Sequence, residues 1–293
     1  MNSIELKSRA KINLSIDVLG KREDGYHLVE MIMQTIDLYD IIKIKELCTD
    51  KIIIKSNSKE IPLDGNNIVY KAINLLKDKF DIKKGIEVFI EKKIPIAAGL
   101  AGGSSNAAAV LVGLNKIWDL NLTEKELQEI GFLLGADVPY CISGRTALAQ
   151  GVGEKLRYIK GLPDNISILI CKPNLFISTK EVYDELDLYN IKNRPNNNDL
   201  INYLNKENIE SVAKGMVNVL ESITSKNHSE IQDIENIMMK NNALGAMMSG
   251  SGPTVFGLFI NKEDALKGKD MLIKKYKQVY IVNSSERGVE ING

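Results

Sequence analysis

The sequence has 293 residues, of which 44% are hydrophobic and 26% are charged, so it is long enough for one large domain or two ordinary globular domains. The 38 basic residues equal the 38 acidic residues, which excludes a protein that binds nucleic acid or anionic lipid through bulk charge. No apolar run reaches the length of a membrane span, no secretory signal is recognisable, and three widely separated cysteines indicate reduced thiols in a cytoplasmic protein.

The first half of the chain predicts strands with interspersed helices. Alternating apolar residues predict a strand over 4–20, and the Asp-Gly turn of KREDGYH predicts a loop over 21–27. Isoleucine-rich strands are expected over 31–47 and 50–56, and a further strand over 85–95 ends at Pro95. Helices are expected over 66–80, 104–120 and 123–136. The first is capped by Asn66 or Asn67, and the last opens with a Thr123–Glu126 capping box.

The second half predicts a different mixture of elements. A buried strand (167–173) precedes an Asn-rich, mobile loop (188–200) and helices around 198–222 and 229–241. A glycine loop then leads into a strand (247–259), followed by a capped helix (261–276) and a last strand (278–284). This order predicts an α+β protein with two domains, residues 1–155 and 156–293.

Residues 95–109, PIAAGLAGGSSNAAA, place glycines and serines between a predicted strand and an alanine-rich helix. Such a junction offers backbone N–H groups at a helix N-terminus, where those donors and the helix dipole favour a bound phosphate. The hydroxyls of Ser104 and Ser105 are expected to hold phosphate oxygens or the ligand shell of Mg²⁺. The alternative is a tight turn whose small residues only permit close packing. The common phosphate loops, protein-kinase motifs and serine-hydrolase elbow are absent from the sequence.

A second glycine loop, SGSGPT, occupies residues 249–254. It offers another set of N–H donors, and its alternative interpretation is a simple bend between a helix and a strand. Two such loops in one chain favour a polyphosphate ligand more than either loop does separately.

Both glycine stretches resemble the motifs of the GHMP small-molecule kinases, a superfamily that includes galactokinase, homoserine kinase and mevalonate kinase. AKINLSIDVLGKREDGYH, GADVPYCISGRTALAQGVGE and KPNLFISTKEVY narrow the resemblance to the GHMP kinases that act on the cytidine diphosphate derivative of methylerythritol. The resemblance spans roughly residues 5–260 in the same order. It implies a two-domain GHMP-kinase-like fold, with an N-terminal ribosomal-protein-S5-like domain and a C-terminal ferredoxin-like α/β plait. Where relatives carry glycine, this chain has Ala97, Ala98, Ala101 and Arg145, and not all of these positions need a positive φ.

The resemblance implies transfer of the γ-phosphoryl group of ATP to a hydroxyl of the methylerythritol unit, a reaction that depends on positioning and charge neutralisation. Asp137 is expected to accept the hydroxyl proton, and Lys11 to lie beside it and stabilise the developing charge. For a lone Lys or Asp the ordinary alternative is a solvated surface charge.

The same resemblance implies residues that bind each ligand. A cytidine pocket is expected from Tyr26, His27 and Tyr183, with Thr179 and Asn13 as polar substrate contacts. Tyr183 taken alone would more often be half-buried packing. ATP is expected to contact Pro95, Ile96, Ala97, Ala98, Gly99, Leu100, Ala101, Gly102, Gly103, Ser104, Ser105, Asn67, Gly250, Ser251 and Gly252. Asn66 and Asn67 are placed to reach the adenine, and helix capping is an equally good role for them.

Two other functions stay open at this point. One keeps the kinase fold but changes the acceptor, for example to homoserine or mevalonate. The other is a nucleotide-binding protein that senses its ligand without turnover. Mg²⁺ is expected to arrive with ATP, since two histidines and no CxxC offer no fixed metal site. The expected partner is a small-molecule substrate, with no nucleic acid and no membrane, and the chain is expected to be a monomer or a homodimer.

Overall fold

A computed structural model describes residues 2–188 and 190–292. Its strands are β1 (Ser3–Lys21), β2 (His27–Leu47), β3 (Ile52–Ser56), β4 (Gly85–Glu91), β5 (Thr146–Gly151), β6 (Lys155–Ile159), β7 (Ser167–Lys172), β8 (Gly245–Met248), β9 (Val255–Phe259), β10 (Gln278–Val282) and β11 (Val289–Asn292). Its helices are α1 (Ile68–Phe80), α2 (Gly102–Ile117), α3 (Glu124–Phe132), α4 (Val138–Ser143), α5 (Thr179–Glu185), α6 (Asn197–Asn205), α7 (Ile209–Gly215), α8 (Glu221–Asn227), α9 (Glu230–Lys240) and α10 (Lys262–Leu272). None of these helices is long and apolar enough to cross a membrane.

The first sheet is built around a long antiparallel hairpin of β1 and β2. Its strands follow the order β11–β1–β2–β4–β3, and β5 and β6 extend it from β2. The hairpin turns at the predicted Asp-Gly loop, where Gly25 has a φ of +87° that glycine adopts without steric cost. Irregular pairing between Arg9 and Lys11 and between Asn13 and Ser15 re-aims side chains in this part of β1.

Helices α1 and α2 contribute to the main hydrophobic core together with this sheet. Glycine lets α2 approach the strands closely, because a Cβ at Gly113 would lie 2.5 Å from Ile44 and 3.0 Å from Leu6. The predicted caps are confirmed: Asn67 accepts the N–H of Val69 at 2.9 Å at the start of α1, and Thr123 and Glu126 form the capping box of α3. Short-range hydrogen bonds therefore begin both helices where the sequence indicates.

The second sheet is antiparallel, with the strand order β10–β7–β9–β8. Its chain order is strand, helices, two strands, helix and strand, which is the ferredoxin-like plait that the family resemblance implied. Buried residues of α9 and α10, among them Ile234, Met238 and Leu272, belong to the same hydrophobic core as Leu169 and Phe259 of this sheet.

The structure contains elements that the sequence analysis did not predict (α4, β5, β6 and α5), and it differs from the prediction in further places. The strand expected to end at Pro95 stops at Glu91, and α6 begins at Asn197 inside the predicted loop. The helical region expected around 198–222 contains α6 and α7, followed by an extended segment that pairs with Ile16 of β1. The last strand is β11, which returns to the first sheet beside β1. The extended segment at Asn218 and the strand β11 both arise from pairing with β1, which is distant in sequence and which local propensity does not encode, whereas α6 begins at a local cap, where the Asn196 side chain accepts the N–H of Asp199.

The predicted boundary near residue 155 remains a prediction. The first sheet continues through β6 to residue 159 and also contains β11, while β7 begins the second sheet at residue 167. Residues 156–159 and 289–292 therefore pair with strands of the first half of the chain, although the prediction assigned them to the second domain.

Candidate active site

A cavity of about 910 Å³ lies where β1, the loop after β4, the start of α4, α5 and the second glycine loop meet. This volume is near the upper end for ligand pockets, about 300–1,000 Å³, and offers room for extended ligands. Most of the predicted site residues line it: Lys11, Asn13, Tyr26, His27, Asn66, Asn67, Pro95, Ile96, Ala97, Ala98, Gly99, Ala101, Gly102, Gly103, Ser104, Asp137, Thr179, Tyr183, Gly250 and Ser251. The fold thus brings together segments that are up to 240 residues apart in sequence (Lys11 to Ser251).

The first glycine run forms a cradle of backbone donors at the start of α2. Ala101 precedes the helix with a left-handed φ of 55° and provides no side-chain cap. The N–H groups of Gly102, Gly103 and Ser104 have no partner among the described residues, and all three residues line the cavity. Uncapped donors at a helix N-terminus attract anions, so this end of the cavity is suited to phosphate groups.

Two of the alanines at expected glycine positions do adopt a positive φ. Ala97 has a φ of 49° and Ala101 a φ of 55°, whereas Ala98 is absent from the positive-φ residues. Arg145 is also left-handed, with a φ of 68°. The substitution of alanine for glycine at positions 97 and 101 therefore retains a backbone conformation that costs an L-residue about 1–2 kcal/mol.

Three predicted nucleotide contacts do not line the cavity. The hydroxyl of Ser105 is buried and donates to the carbonyl of Arg9, so it is not available to phosphate. The side chain of Leu100 is buried in the core, and its carbonyl accepts the N–H of Lys11 at 3.2 Å. Gly252 donates its N–H to the carbonyl of Ser249 at 3.0 Å. These residues shape the two glycine loops without facing a ligand.

Asn67 lines the cavity, but its side chain is already engaged. Its carbonyl oxygen caps α1, and its NH₂ group donates to the carbonyl of Pro62 at 2.6 Å. The contacts of Asn67 therefore indicate a capping role. Asn66 lines the same wall of the cavity and is exposed.

Lys11 and Asp137 both line the cavity and lie close to each other. The Lys11 ammonium donates to Oδ1 of Asn13 at 2.6 Å and lies 3.9 Å from Oδ2 of Asp137. The Lys11 side chain is only 6% exposed and that of Asp137 is 30% exposed, so neither is a solvated surface charge. Asp137 immediately precedes α4 and makes no capping hydrogen bond, which leaves its carboxylate able to accept a proton from a ligand.

The second glycine loop packs directly against the first. The Ser249 hydroxyl donates to the carbonyl of Gly99 at 3.1 Å and accepts the N–H of Asn13 at 3.3 Å. The hydroxyls of Thr179 and Ser251 lie 2.8 Å apart. One serine hydroxyl therefore joins both glycine loops to the strand that holds Lys11.

His27 and Tyr183 form one wall of the cavity. Their ring centroids are 4.9 Å apart with an interplanar angle of 34°, and Tyr183 is half-buried. Burial raises the pKa of the Tyr183 hydroxyl, so this residue acts here as a neutral aromatic surface. Tyr26 lines the cavity beside them and is 62% exposed, which leaves its ring free to contact a ligand. Tyr183 is thus both half-buried packing and part of the cavity.

Sequence reasoning missed a buried ion pair beneath the first glycine run. Lys92 lines the cavity, and its ammonium lies 2.7 Å from Oδ2 of the fully buried Asp40. Burial lowers the pKa of Lys92, and Asp40 opposes that shift. Oδ1 of Asp40 accepts the N–H groups of Lys93 and Ile94 at 2.7 and 2.8 Å. This carboxylate therefore holds the backbone that leads into the glycine run. An aspartate within an isoleucine-rich strand is the only sequence signal.

Behind the second glycine loop, Glu221 and Glu235 form a half-buried carboxyl pair. Glu221 accepts the N–H of Met248 at 2.7 Å, and Glu235 lies against Glu221 with one carboxyl oxygen unpartnered among the described residues. Burial and the neighbouring Glu221 carboxyl raise the pKa of Glu235 to about 8.

We expect Glu235→Gln to stabilise the fold at pH 8 and to have a smaller effect at pH 5. The carboxyl ionises near pH 4.5 in the unfolded chain but near pH 8 in the fold, so its contribution to stability declines as the pH rises through this window. Glutamine is neutral throughout and avoids that loss. Thermal unfolding of both proteins at the two pH values measures the difference, and equal shifts in Tm at both would contradict it.

Comparison with known proteins agrees with this geometry. The GHMP kinases N terminal domain matches residues 67–145, and the GHMP kinases C terminal domain matches residues 200–278. The chain is 72% identical over 293 residues to the 4-diphosphocytidyl-2-C-methyl-D-erythritol kinase of Clostridioides difficile (strain 630), covering 100% of this chain and 99% of that protein. It is 53% identical to the kinase of the same name from Alkaliphilus oremlandii (strain OhILAs), covering 99% and 100%.

Solved structures show the same fold. A crystal structure of 4-(cytidine 5'-diphospho)-2C-methyl-D-erythritol kinase matches with a TM-score of 0.81 and 26% identity, covering 96% of this chain and 99% of that one. A homoserine kinase from Cytophaga hutchinsonii matches with a TM-score of 0.79 at 20% identity, covering 100% and 98%, and at that identity it supports the fold alone. The family predicted from the sequence is confirmed, and the chain belongs to the GHMP kinases and, within them, to the 4-diphosphocytidyl-2-C-methyl-D-erythritol kinases.

Proposed function

We propose that this kinase transfers the γ-phosphoryl group of ATP to a hydroxyl of the methylerythritol unit of 4-diphosphocytidyl-2-C-methyl-D-erythritol, a step of the non-mevalonate isoprenoid pathway. One observation supports this above the rest. A single cavity combines the donors of two glycine loops, the Lys11–Asp137 pair and the wall formed by His27 and Tyr183. The glycine loops suit the phosphate donor, the Lys11–Asp137 pair suits the reacting hydroxyl, and the aromatic wall suits a nucleobase.

The proposed donor site is the start of α2. The free N–H groups of Gly102, Gly103 and Ser104 would bind phosphate oxygens, aided by the helix dipole. The Ser104 hydroxyl is an oxygen ligand on the cavity wall that suits Mg²⁺, which would neutralise charge on the phosphates. Asn66 is proposed to reach the adenine, since the amide of Asn67 is engaged in capping.

The proposed chemistry begins with the acceptor hydroxyl placed beside Asp137. The carboxylate accepts the hydroxyl proton as the oxygen attacks the γ-phosphorus and the bond to the ADP oxygen breaks. The Lys11 ammonium lies 3.9 Å from Asp137, close enough to stabilise the charge that develops on the transferred group. Asn13 holds the Lys11 ammonium in this position through its 2.6 Å hydrogen bond.

The proposed acceptor site is the aromatic wall. Tyr26 and Tyr183 offer ring faces for stacking on cytosine, and the imidazole of His27 offers a donor and an acceptor for its edge. The Thr179 hydroxyl, next to Ser251, would contact the rest of the substrate. A small acceptor such as homoserine or mevalonate has no nucleobase that could stack on this aromatic wall.

ADP release with Mg-ATP and one acceptor at a time tests this function. The acceptors are the cytidylated methylerythritol, its uncytidylated analogue, homoserine and mevalonate. We expect turnover with the cytidylated compound alone. Turnover with another acceptor would support the kinase activity but contradict the proposed cytidine pocket. No turnover with any of the four, with Mg-ATP binding intact, would favour a nucleotide sensor.

We expect the KM for the cytidylated acceptor to rise as the pH falls below about 6.5, the ordinary pKa of histidine. Burial, followed by the charge of Lys21, lowers the pKa of His27 from 6.5, so its imidazole is neutral near pH 7. Protonation at lower pH removes the acceptor nitrogen that the base edge requires. A pH profile of KM for the wild type and for His27→Gln measures this, and an unchanged acid limb in the variant would exclude His27 as its origin.

The remaining features of the protein are also proposals. We propose a cytoplasmic enzyme, in accord with three unpaired cysteines, of which Cys141 and Cys171 are buried. A monomer or a homodimer, divided into domains near residue 155, remains the proposed organisation.

A further inference from the structure

The second glycine loop is held from behind by a buried asparagine, Asn218. Its side-chain NH₂ group donates to the carbonyl of Met248 at 2.9 Å and to the carbonyl of Gly250 at 2.8 Å. Its side-chain oxygen accepts the N–H of Leu220 at 3.0 Å. Both donors and the acceptor of this amide are thus in use, so its orientation is set by its contacts.

The bond to Gly250 orients the peptide group that follows. In a planar trans peptide the carbonyl and the N–H point in opposite directions. The Gly250 carbonyl faces Asn218, which does not line the cavity, so the N–H of Ser251 points away from Asn218. Gly250 and Ser251 both line the cavity, and the Ser251 N–H has no partner among the described residues.

The loop has two backbone hydrogen bonds of its own, from Gly252 to Ser249 and from Ser249 to Thr254, but neither involves the Gly250 carbonyl. Gly250 and Gly252 have φ values of 61° and 88°, a region that glycine enters and leaves freely. Two further bonds assist Asn218 from α8: Thr224 donates to the carbonyl of Ser251 at 3.3 Å, and Glu221 accepts the N–H of Met248 at 2.7 Å.

Asn218 also connects the loop to the strand that contains Lys11. The residues on either side of it bond to one residue of β1. Ile16 donates its N–H to the carbonyl of Val217 at 2.9 Å, and its carbonyl accepts the N–H of Val219 at 3.1 Å. Lys11 and Asn13 lie on the same strand. The short segment 217–219 is therefore a second link, beside Ser249, between the glycine loop and the strand that holds Lys11.

We propose that Asn218 is a positioning residue for phosphoryl transfer, which holds the Gly250 carbonyl so that the Ser251 N–H faces the phosphate group of ATP. This inference rests on the proposed function, because it assigns that N–H to the nucleotide. Asn218 does not itself line the cavity and acts through the loop.

The experiment compares Asn218→Ala with the matched control Asn197→Ala. Asn197 is also buried, accepts the Ser15 hydroxyl at 2.6 Å and donates to Glu30 at 2.9 Å, but it contacts neither glycine loop. We expect Asn218→Ala to lower kcat/KM for ATP by about 10-fold to 100-fold per folded enzyme. Its affinity for Mg-ATP should fall, and its KM for the cytidylated acceptor should stay at the wild-type value. We expect Asn197→Ala to lower the stability of the fold but to leave both kcat/KM for ATP and the affinity for Mg-ATP unchanged.

Calorimetry with Mg-ATP alone separates failure of this inference from failure of the proposed function. If the wild type turns over no acceptor, the proposed function fails, and the Mg-ATP affinities still report on Asn218. If Asn218→Ala binds and uses ATP like the wild type, or if both alanine variants change ATP parameters alike, the positioning role is overturned. Should Asn218→Ala not fold, Thr224→Val decides: a weaker affinity for Mg-ATP supports the proposal, and a wild-type affinity rejects it.

Discussion

Asp137→Asn is expected to abolish most turnover, lowering kcat by about 10²-fold to 10⁴-fold, while Mg-ATP still binds. The amide has nearly the shape of the carboxylate but cannot accept the hydroxyl proton, and it removes the negative charge 3.9 Å from Lys11. The free donors that would bind phosphate belong to Gly102, Gly103 and Ser104 and are untouched. Steady-state ADP release and calorimetry with Mg-ATP measure the two quantities separately.

A second aspartate of the same cavity offers the control. Asp184 lines the cavity, but its side chain is half-exposed and pairs at 3.7 Å with the equally exposed Lys21. We expect Asp184→Asn to keep the wild-type kcat, because an exposed ion pair of this kind contributes little and Asp184 does not face Lys11. Near-normal kcat in Asp137→Asn would remove Asp137 from the mechanism, whereas a matching loss in both variants would indicate a general effect of cavity charge.

Gly99→Ala is expected to destabilise the protein by about 2–5 kcal/mol, the sum of a left-handed backbone penalty and overpacking. Gly99 has a φ of +71°, and a Cβ there would lie 2.1 Å from the carbonyl oxygen of Ser249. The two glycine loops are in direct contact at this point, so the added methyl group must push them apart. Thermal unfolding and Mg-ATP titration of the variant measure the loss of stability and of affinity.

Gly103→Ala is the matched control for this substitution, since it adds the same methyl group to the same glycine run. Its Cβ would approach nothing closer than Ile68 at 3.8 Å, and Gly103 lies in the first turn of α2. Alanine is the better helix former, so we expect stability to stay within about 1 kcal/mol of the wild type. Equal destabilisation by the two substitutions would show that contact between the loops is not the cause.

The features of the site that the sequence predicted correctly are those set by contacts between residues close together in the chain. The caps Asn67 and Thr123 and the turn at Gly25 were predictable because each involves hydrogen bonds or backbone angles within a few residues. The two glycine stretches indicated phosphate cradles, and the family resemblance connected them with Lys11 and Asp137. Most of those residues do line one cavity, although their individual roles remain proposals.

What the sequence by itself determined is therefore many of the helices and strands, the family and the segments that form the site. Only the tertiary structure decided that Ser105 faces Arg9, that Asp40 pairs with Lys92, that Asn218 holds the Gly250 carbonyl and that β11 returns to β1. The physical reason is the separation of the partners. A hydrogen bond or ion pair between residues tens to hundreds of positions apart depends on how sheets and helices pack, and no local periodicity or capping signal records that choice.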